Sequence, residues 1–235
     1  MVRRNCLMRS FRNQLAFQLM DWRPLIIFWA VLIVVNIVQV LDLLYWSSKT
    51  GSTIYSVFMP NYGAASVFVL VSGILSATIT FPLLMSLGYT RKQFYLTTIV
   101  SGPIFCAVMA IIQCTIVYCG RGILNALGYH LETPIWSVAS VGYLQFAIYC
   151  MIFYLSFLIG SVFYLYGTLP GILVIAAYIA VLSYTPVDNK FDFMDYFSTS
   201  LEYNNHTYIH YTWIISAIVA VAGWLLYRRS AVRTY

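Results

Sequence analysis

Charged residues are scarce in this 235-residue chain, at 9%, whereas 61% of the residues are hydrophobic and the mean hydropathy is +0.81. A solvated surface needs roughly a quarter of charged residues, so this composition excludes a water-soluble protein. Apolar runs long enough to cross a bilayer as helices recur along the chain. The composition therefore predicts an all-α integral membrane protein.

The chain also lacks the short motifs that carry common chemistry. There is no GxxxxGK[ST] phosphate loop, no HExxH zinc motif and no CxxC pair. The middle of each predicted span has no acid or histidine, which argues against a membrane hydrolase and against an ion-coupled carrier. We therefore expect no enzyme, and no catalytic residue, metal or cofactor in this chain.

The cysteines are odd in number and lie mostly inside predicted spans, so we interpret them as small packing residues and not as a disulfide framework. They are Cys6, Cys106, Cys114, Cys119 and Cys150.

Six apolar runs reach or approach the roughly 20 residues that a transmembrane helix needs. They lie at about residues 24 to 46, 63 to 87, 95 to 119, 138 to 163, 168 to 185 and 209 to 227. The runs leave no room for a soluble domain, so residues 1–235 are predicted to form a single membrane domain.

The basic residues set the orientation, because Lys and Arg accumulate in cytoplasmic segments. In a six-span layout, ten of the thirteen fall on the side of both termini and only Lys49, Arg121 and Lys190 on the other. Six of the seven acids fall on that other side. Both termini are therefore predicted to be cytoplasmic, and the basic rim indicates contact with anionic lipid and not with nucleic acid.

Residues 1–22 precede the first span and are predicted to form an interfacial amphipathic helix. Leu7, Leu15 and Trp22 share one face, whereas Arg9 and Arg12 lie opposite. Two interpretations remain open: a lipid anchor, or an anchor whose polar face docks a cytosolic subunit.

Polar side chains inside the spans give two kinds of signal. Asn36, Gln39 and Asp42 recur at three-residue steps in span one, which suggests either a translocation or interface face or hydrogen bonds within one subunit. In span two, Gly73 and Ala77 lie beside Ser72 and Ser76, a small-residue pattern that predicts close helix packing.

Residues 186–208 form an extracellular segment in this layout, where aspartates alternate with aromatic residues. Glu202, His206 and His210 follow at four-residue steps, and two such imidazoles can hold a metal. A third histidine or a cysteine is missing nearby, so a solvated face is the simpler interpretation.

The stretch from Phe81 to Phe94 is the most distinctive of the chain. Phe81-Pro82 is followed by Ser86-Leu87-Gly88, a variable residue, and Thr90-Arg91-Lys92-Gln93-Phe94. This sequence resembles the first intracellular loop of permeases in the type 2 ABC-transporter family, in its bacterial branch of short six-span subunits. The resemblance covers about fourteen residues, and the basic N-terminal helix and the span layout agree with it.

The resemblance implies a permease subunit in a bacterial cell membrane that pairs with a second copy or a sister permease. It also implies a cytosolic ABC ATP-binding subunit, which would hold ATP and Mg²⁺. By likeness, residues 88–94 would be the cytoplasmic coupling loop and residues 1–22 the elbow helix. The residues expected to contact the ATPase are Arg9, Arg12, Tyr89, Thr90, Arg91, Lys92, Gln93 and Phe94.

The expected function is export of a hydrophobic or amphipathic substrate such as a peptide, drug or lipid, since few polar residues line the spans. The alternative is a non-transporting membrane sensor or an immunity module that captures an antimicrobial peptide. The alternative needs no ATPase partner, whereas the permease requires one.

Overall fold

The computed structural model describes residues 13–18, 23–50, 60–126, 138–183 and 206–229, which are helical apart from short turns at 87–90 and 167. The helices are α1 (Arg23–Thr50), α2 (Pro60–Leu75), α3 (Phe81–Ser86), α4 (Arg91–Ala126), α5 (Val138–Tyr166), α6 (Thr168–Ser183) and α7 (His206–Arg229). A π-helical turn, Ser76–Thr80, joins α2 to α3. The all-α prediction is thus confirmed for the described residues.

Five helical stretches are long and apolar enough to cross a membrane. They are Asn13–Asp42, Asn61–Ser86, Arg91–Gly120, Val141–Tyr166 and His210–Arg228. The sixth predicted span coincides with α6, which has 16 described residues and is about 24 Å long at 1.5 Å per residue. Six spans with both termini inside therefore stay a prediction. The five long apolar helices are the evidence that the chain crosses the membrane more than once.

Helix α5 lies at the centre of the bundle. More than half of its apolar window, 56%, is buried, against 22–33% for the other four spans. It packs against α2, α4, α6 and α7. Tyr149, Phe153 and Phe157 of α5 reach into both large apolar clusters of the core. Helices α2, α4, α6 and α7 are therefore positioned chiefly by their contact with α5.

The contact between α2 and α5 is made by backbone and small side chains. A Cβ atom on Gly73 would lie 2.7 Å from the carbonyl oxygen of Phe153, and one on Gly160 would lie 2.9 Å from that of Ile74. Ala77 is fully buried in the same contact. The packing predicted from Gly73 and Ala77 is confirmed, since only small residues permit this approach.

The π-helical turn widens the α2–α3 span just before Pro82. Phe81 donates its N–H to the carbonyl oxygen of Ser76, five residues earlier. Proline has no N–H and its ring clashes with the carbonyl four residues before it, so an α-helical turn is unfavourable there. The wider turn lets the chain continue as a helix to the end of the span.

We predict that Gly73→Ala destabilises the protein by about 2 kcal/mol, because the new methyl group overlaps the backbone of α5, which cannot move aside. Thermal or denaturant unfolding of the purified chain in detergent measures this. Gly63→Ala is the matched control, since a Cβ there meets nothing within 4 Å. Equal stability of the two variants would contradict the packing described.

Candidate functional site

The turn between α3 and α4 is closed by two complementary helix caps. Gly88 adopts φ +82°, a left-handed conformation that glycine tolerates best. Its N–H donates to the carbonyl oxygen of Met85 at 3.0 Å, and the N–H of Tyr89 donates to that of Leu84 at 3.2 Å. This bonding pattern is a Schellman motif, which ends α3 within one residue.

The second cap starts α4 immediately afterwards. Thr90 accepts a hydrogen bond from the N–H of Gln93 at its Oγ1 (3.3 Å), and Gln93 Oε1 accepts one from the N–H of Thr90 (3.1 Å). This reciprocal arrangement is a capping box, in which each side chain satisfies a backbone donor at the helix start. Gly88, Thr90 and Gln93 thus have structural roles that explain their presence in the turn.

The remaining polar residues of the turn point outward. Lys92 is exposed and Arg91 half-buried at the start of α4, and Leu87 is exposed beside them. Asp42, in the far half of α1, is the only carboxylate among the described residues. The turn therefore presents two cations on a short, doubly capped segment.

Phe94 faces the opposite way, into the bundle. It belongs to a group that we call the aromatic cluster, and it is fully buried there. Its ring centroid lies 5.0 Å from that of Phe81 and 5.9 Å from that of Tyr227. The aromatic cluster consists of Phe81, Phe94, Tyr95, Phe157, Tyr164, Trp224 and Tyr227.

Hydrogen bonds fix the aromatic cluster to α5 and α7. Ser161 Oγ donates to the Tyr227 hydroxyl at 3.1 Å, and Tyr95 donates its hydroxyl to the carbonyl oxygen of Ala220. The rings come from α3, α4, α5 and α7, which meet here. The turn is therefore attached to four helices through Phe94 and its neighbours, an arrangement that the sequence did not reveal.

The helical stretch 13–18 lies along α4. Gln18 Nε2 donates to Thr98 Oγ1 at 3.3 Å, and Ser101 Oγ donates to Gln18 Oε1 at 2.8 Å. Thr98 is about two turns into α4. The interfacial position predicted for residues 1–22 stays a prediction, and these two bonds attach residues 13–18 to the first turns of α4.

The stretch 13–18 has a polar face of its own. Gln14 and Gln18 are four residues apart and so share a face, and Gln14 is fully buried. Arg9 and Arg12 lie outside the described residues, so their predicted partner contact stays a prediction.

Asn36, Gln39 and Asp42 differ in burial, and the translocation or interface face predicted from them stays a prediction. Asn36 is buried and accepts a hydrogen bond at Oδ1 from Asn61 Nδ2 at 2.7 Å, whereas Asp42 is exposed. Gln39 is half-buried. The hydrogen bond joins α1 to α2 within one subunit, which was one of the two interpretations left open for Asn36.

Most of the residues considered above as metal ligands lie outside the residues that the structure describes. Glu202 and the side chain of His206 are not among the described residues, whereas His210 is exposed on α7. The described part of the chain contains no group of three or more histidine, cysteine or acidic side chains that would hold a metal. The 186–208 segment also lies outside it, so these interpretations stay predictions.

We predict that Thr90→Ala lowers the stability of the isolated chain by about 1 kcal/mol, because α4 loses its N-terminal cap. Thr90→Ser keeps the hydroxyl and should retain most of the stability. Thermal unfolding of the chain purified without partners measures both. If Thr90 served only to contact a partner, the alanine variant would melt like the wild type.

The established class of this chain is a helical, multi-pass membrane protein. Five helical stretches can cross a bilayer, and those of α2, α4 and α7 pack against α5. No family model, no curated protein and no solved structure matches the chain. The likeness of residues 81–94 to type 2 ABC permeases therefore rests on those residues alone.

Proposed function

We propose that this chain is the membrane-spanning permease subunit of an ABC exporter of the type 2 family, driven by ATP hydrolysis on a separate cytosolic subunit. The observation that carries the proposal is the turn itself. Arg91 and Lys92 stand on a segment capped on both sides, and the adjacent Phe94 is buried among four helices. A partner that binds these two cations would therefore contact a rigid segment that is firmly packed onto the helix bundle.

The exposed residues of the turn and the buried residues beside it would have different roles. Arg91 and Lys92 would bind acidic or carbonyl groups of the ATP-binding subunit, with Tyr89 beside them. Gly88, Thr90 and Gln93 would keep the turn short and stiff. Phe94 would act inside the bundle, since it is fully buried, and would pass a displacement to Phe81 and Tyr227.

Rigidity matters because a flexible loop would absorb the displacement that nucleotide binding produces. The Tyr227–Ser161 hydrogen bond and the stacking of Phe157 on Tyr227 at 5.6 Å tie α7 to α5 at this level. A shift of the turn would therefore move α4, α5 and α7 together. Packed contacts of this kind change between discrete arrangements and do not deform continuously.

Export of a hydrophobic or amphipathic substrate fits the chemistry of the bundle. The buried polar groups of the described residues are amides and hydroxyls, and none is charged. A strongly charged cargo would require compensating charges along its route, because an unpaired charge in hydrocarbon is costly. The permeation surface would lie between this subunit and a second copy or a sister permease.

We predict that reversing both cations, Arg91→Glu together with Lys92→Glu, separates the ATPase from this chain. Buried or clamped charge pairs lose about 2–5 kcal/mol when one partner is changed, so recovery of the ATPase should fall by at least tenfold. Arg228→Glu is the matched control, since Arg228 is an exposed cation at the end of α7 and not in the turn. Normal ATPase stimulation by the double variant would rule out coupling through the turn.

We also expect the tagged wild-type chain, purified from its native membrane in mild detergent, to bring down an ATP-binding subunit in fixed ratio. Mass spectrometry of the bound proteins and an ATPase assay measure this. A clean preparation without such a subunit would contradict the permease and favour the sensor or immunity module.

A further inference from the structure

Three sulfur-containing side chains come together where α4 packs against α5. Cys106 and Met109 lie on α4 and Cys150 lies on α5, and all three are fully buried in the same apolar cluster of the core. The thiols of Cys106 and Cys150 are close enough to share a hydrogen bond. The coupling proposed for the turn uses none of these residues.

The register of α4 against α5 explains why the two thiols meet. A Cβ atom on Gly102 would overlap the ring of Phe153, and one on Gly142 would lie 3.2 Å from Cys114 Sγ. These two contacts show that the helices are antiparallel. The two buried thiols lie between the contacts, and each is eight residues from the second contact along its own helix. They therefore face each other at one level of the bundle.

Two thiols and a thioether favour one class of metal ion. Met109 follows Cys106 by three residues, so the two side chains are neighbours on one face of α4. Sulfur ligands select soft ions such as Cu(I), which is stable with two or three of them. Structural zinc requires four ligands, and the described part of the chain has no group of three or more histidine, cysteine or acidic side chains.

The charge of a monovalent ion can be cancelled at this place. The buried polar groups of the described residues are uncharged, and an unpaired charge in hydrocarbon is costly. When Cu(I) replaces the proton of one thiol, a neutral copper–thiolate pair forms and the proton leaves to water. The second thiol and the thioether then complete the site as neutral ligands.

A cleft of about 600 Å³ on the outside of α4 and α5 leads towards the sulfur atoms. Ala107 and Ala110 line it, and they directly follow Cys106 and Met109 in the sequence. Cys114, a further thiol, also lines the cleft. An ion in the cleft is therefore one residue along α4 from the buried ligands.

We propose that Cys106, Met109 and Cys150 form a buried Cu(I) site between α4 and α5. The copper joins the two cysteine sulfurs, and the Met109 thioether is the third ligand. The site requires neither an ATPase partner nor transport, so it goes beyond the proposed function and its test is independent of that function.

The test uses the full-length chain, purified in detergent and kept reduced without oxygen. Cu(I) is supplied as its complex with bicinchoninate, a competing chelator whose colour reports the copper that remains unbound. We expect the chain to take one copper, with a mass increase of one copper minus one hydrogen in native mass spectrometry. Retention of no copper would overturn the proposal, and so would equal retention of Zn²⁺.

X-ray absorption at the copper edge tests the ligands without any substitution. We expect a shell of three sulfur atoms around the copper in the wild type. Nitrogen or oxygen atoms in that shell would overturn the proposal, because the three side chains offer only sulfur.

Variants test which sulfur atoms bind the copper. Cys106→Ser and Cys150→Ser should each lower the affinity for Cu(I) at least about 100-fold, and Met109→Leu, which keeps the volume, about tenfold. Cys119→Ser is the matched control, since Cys119 is an exposed thiol on the same helix, and it should bind like the wild type. Unchanged affinity in any of the first three variants would overturn the three-sulfur site.

Thermal unfolding in detergent gives a second measurement of the same variants. Cu(I) should raise the unfolding temperature of the wild type and of Cys119→Ser, because an ion that binds only the folded chain stabilises it. It should not raise that of Cys106→Ser. Size-exclusion profiles without copper verify that each variant is folded before the titration.

Discussion

The close approach of α2 to α5 at Gly73 and Gly160 is the contact on which the rest of the bundle depends. Within a bilayer, helices gain little from the hydrophobic effect when they meet, because lipid is as apolar as their side chains. Shape and van der Waals contact must then hold them together. By bringing two backbones together, these glycines make α5 central, and α4, α6 and α7 pack against its remaining faces.

At the basic end of the bundle, where Arg91, Lys92 and Arg228 lie, local and tertiary interactions reinforce each other. The Schellman motif at Gly88 and the capping box of Thr90 and Gln93 fix the backbone of the turn from within. The aromatic cluster, which contains Phe94 next to the turn, then packs this end of α4 against α5 and α7. A surface loop would ordinarily be the most mobile part of a membrane protein. Here the turn is constrained both by its own caps and by the aromatic cluster.

Uncharged hydrogen bonds set the rotation of the helices about their axes. Asn36 pairs with Asn61, Gln18 with Thr98 and Ser101, and Tyr227 with Ser161. Each such bond contributes only about 0.6 kcal/mol in a membrane, so their main effect is to select one arrangement among similar apolar packings. The buried carboxamides of Gln14 and Gln113 depart from this pattern, since neither has a hydrogen-bond partner among the described residues.

The sequence by itself determined the class of the protein and five spans, because bilayer thickness fixes the length of an apolar run. The caps at Gly88, Thr90 and Gln93 also depend only on neighbouring residues, although Thr90 and Gln93 were predicted as partner contacts and not as caps. Only the tertiary structure decided that Gln18 bonds to Thr98 and Ser101 of α4, that Asn36 meets Asn61, and that Phe94 meets Tyr227. Helices that are apolar all round show no amphipathic face, so their sequences do not reveal which side meets which neighbour.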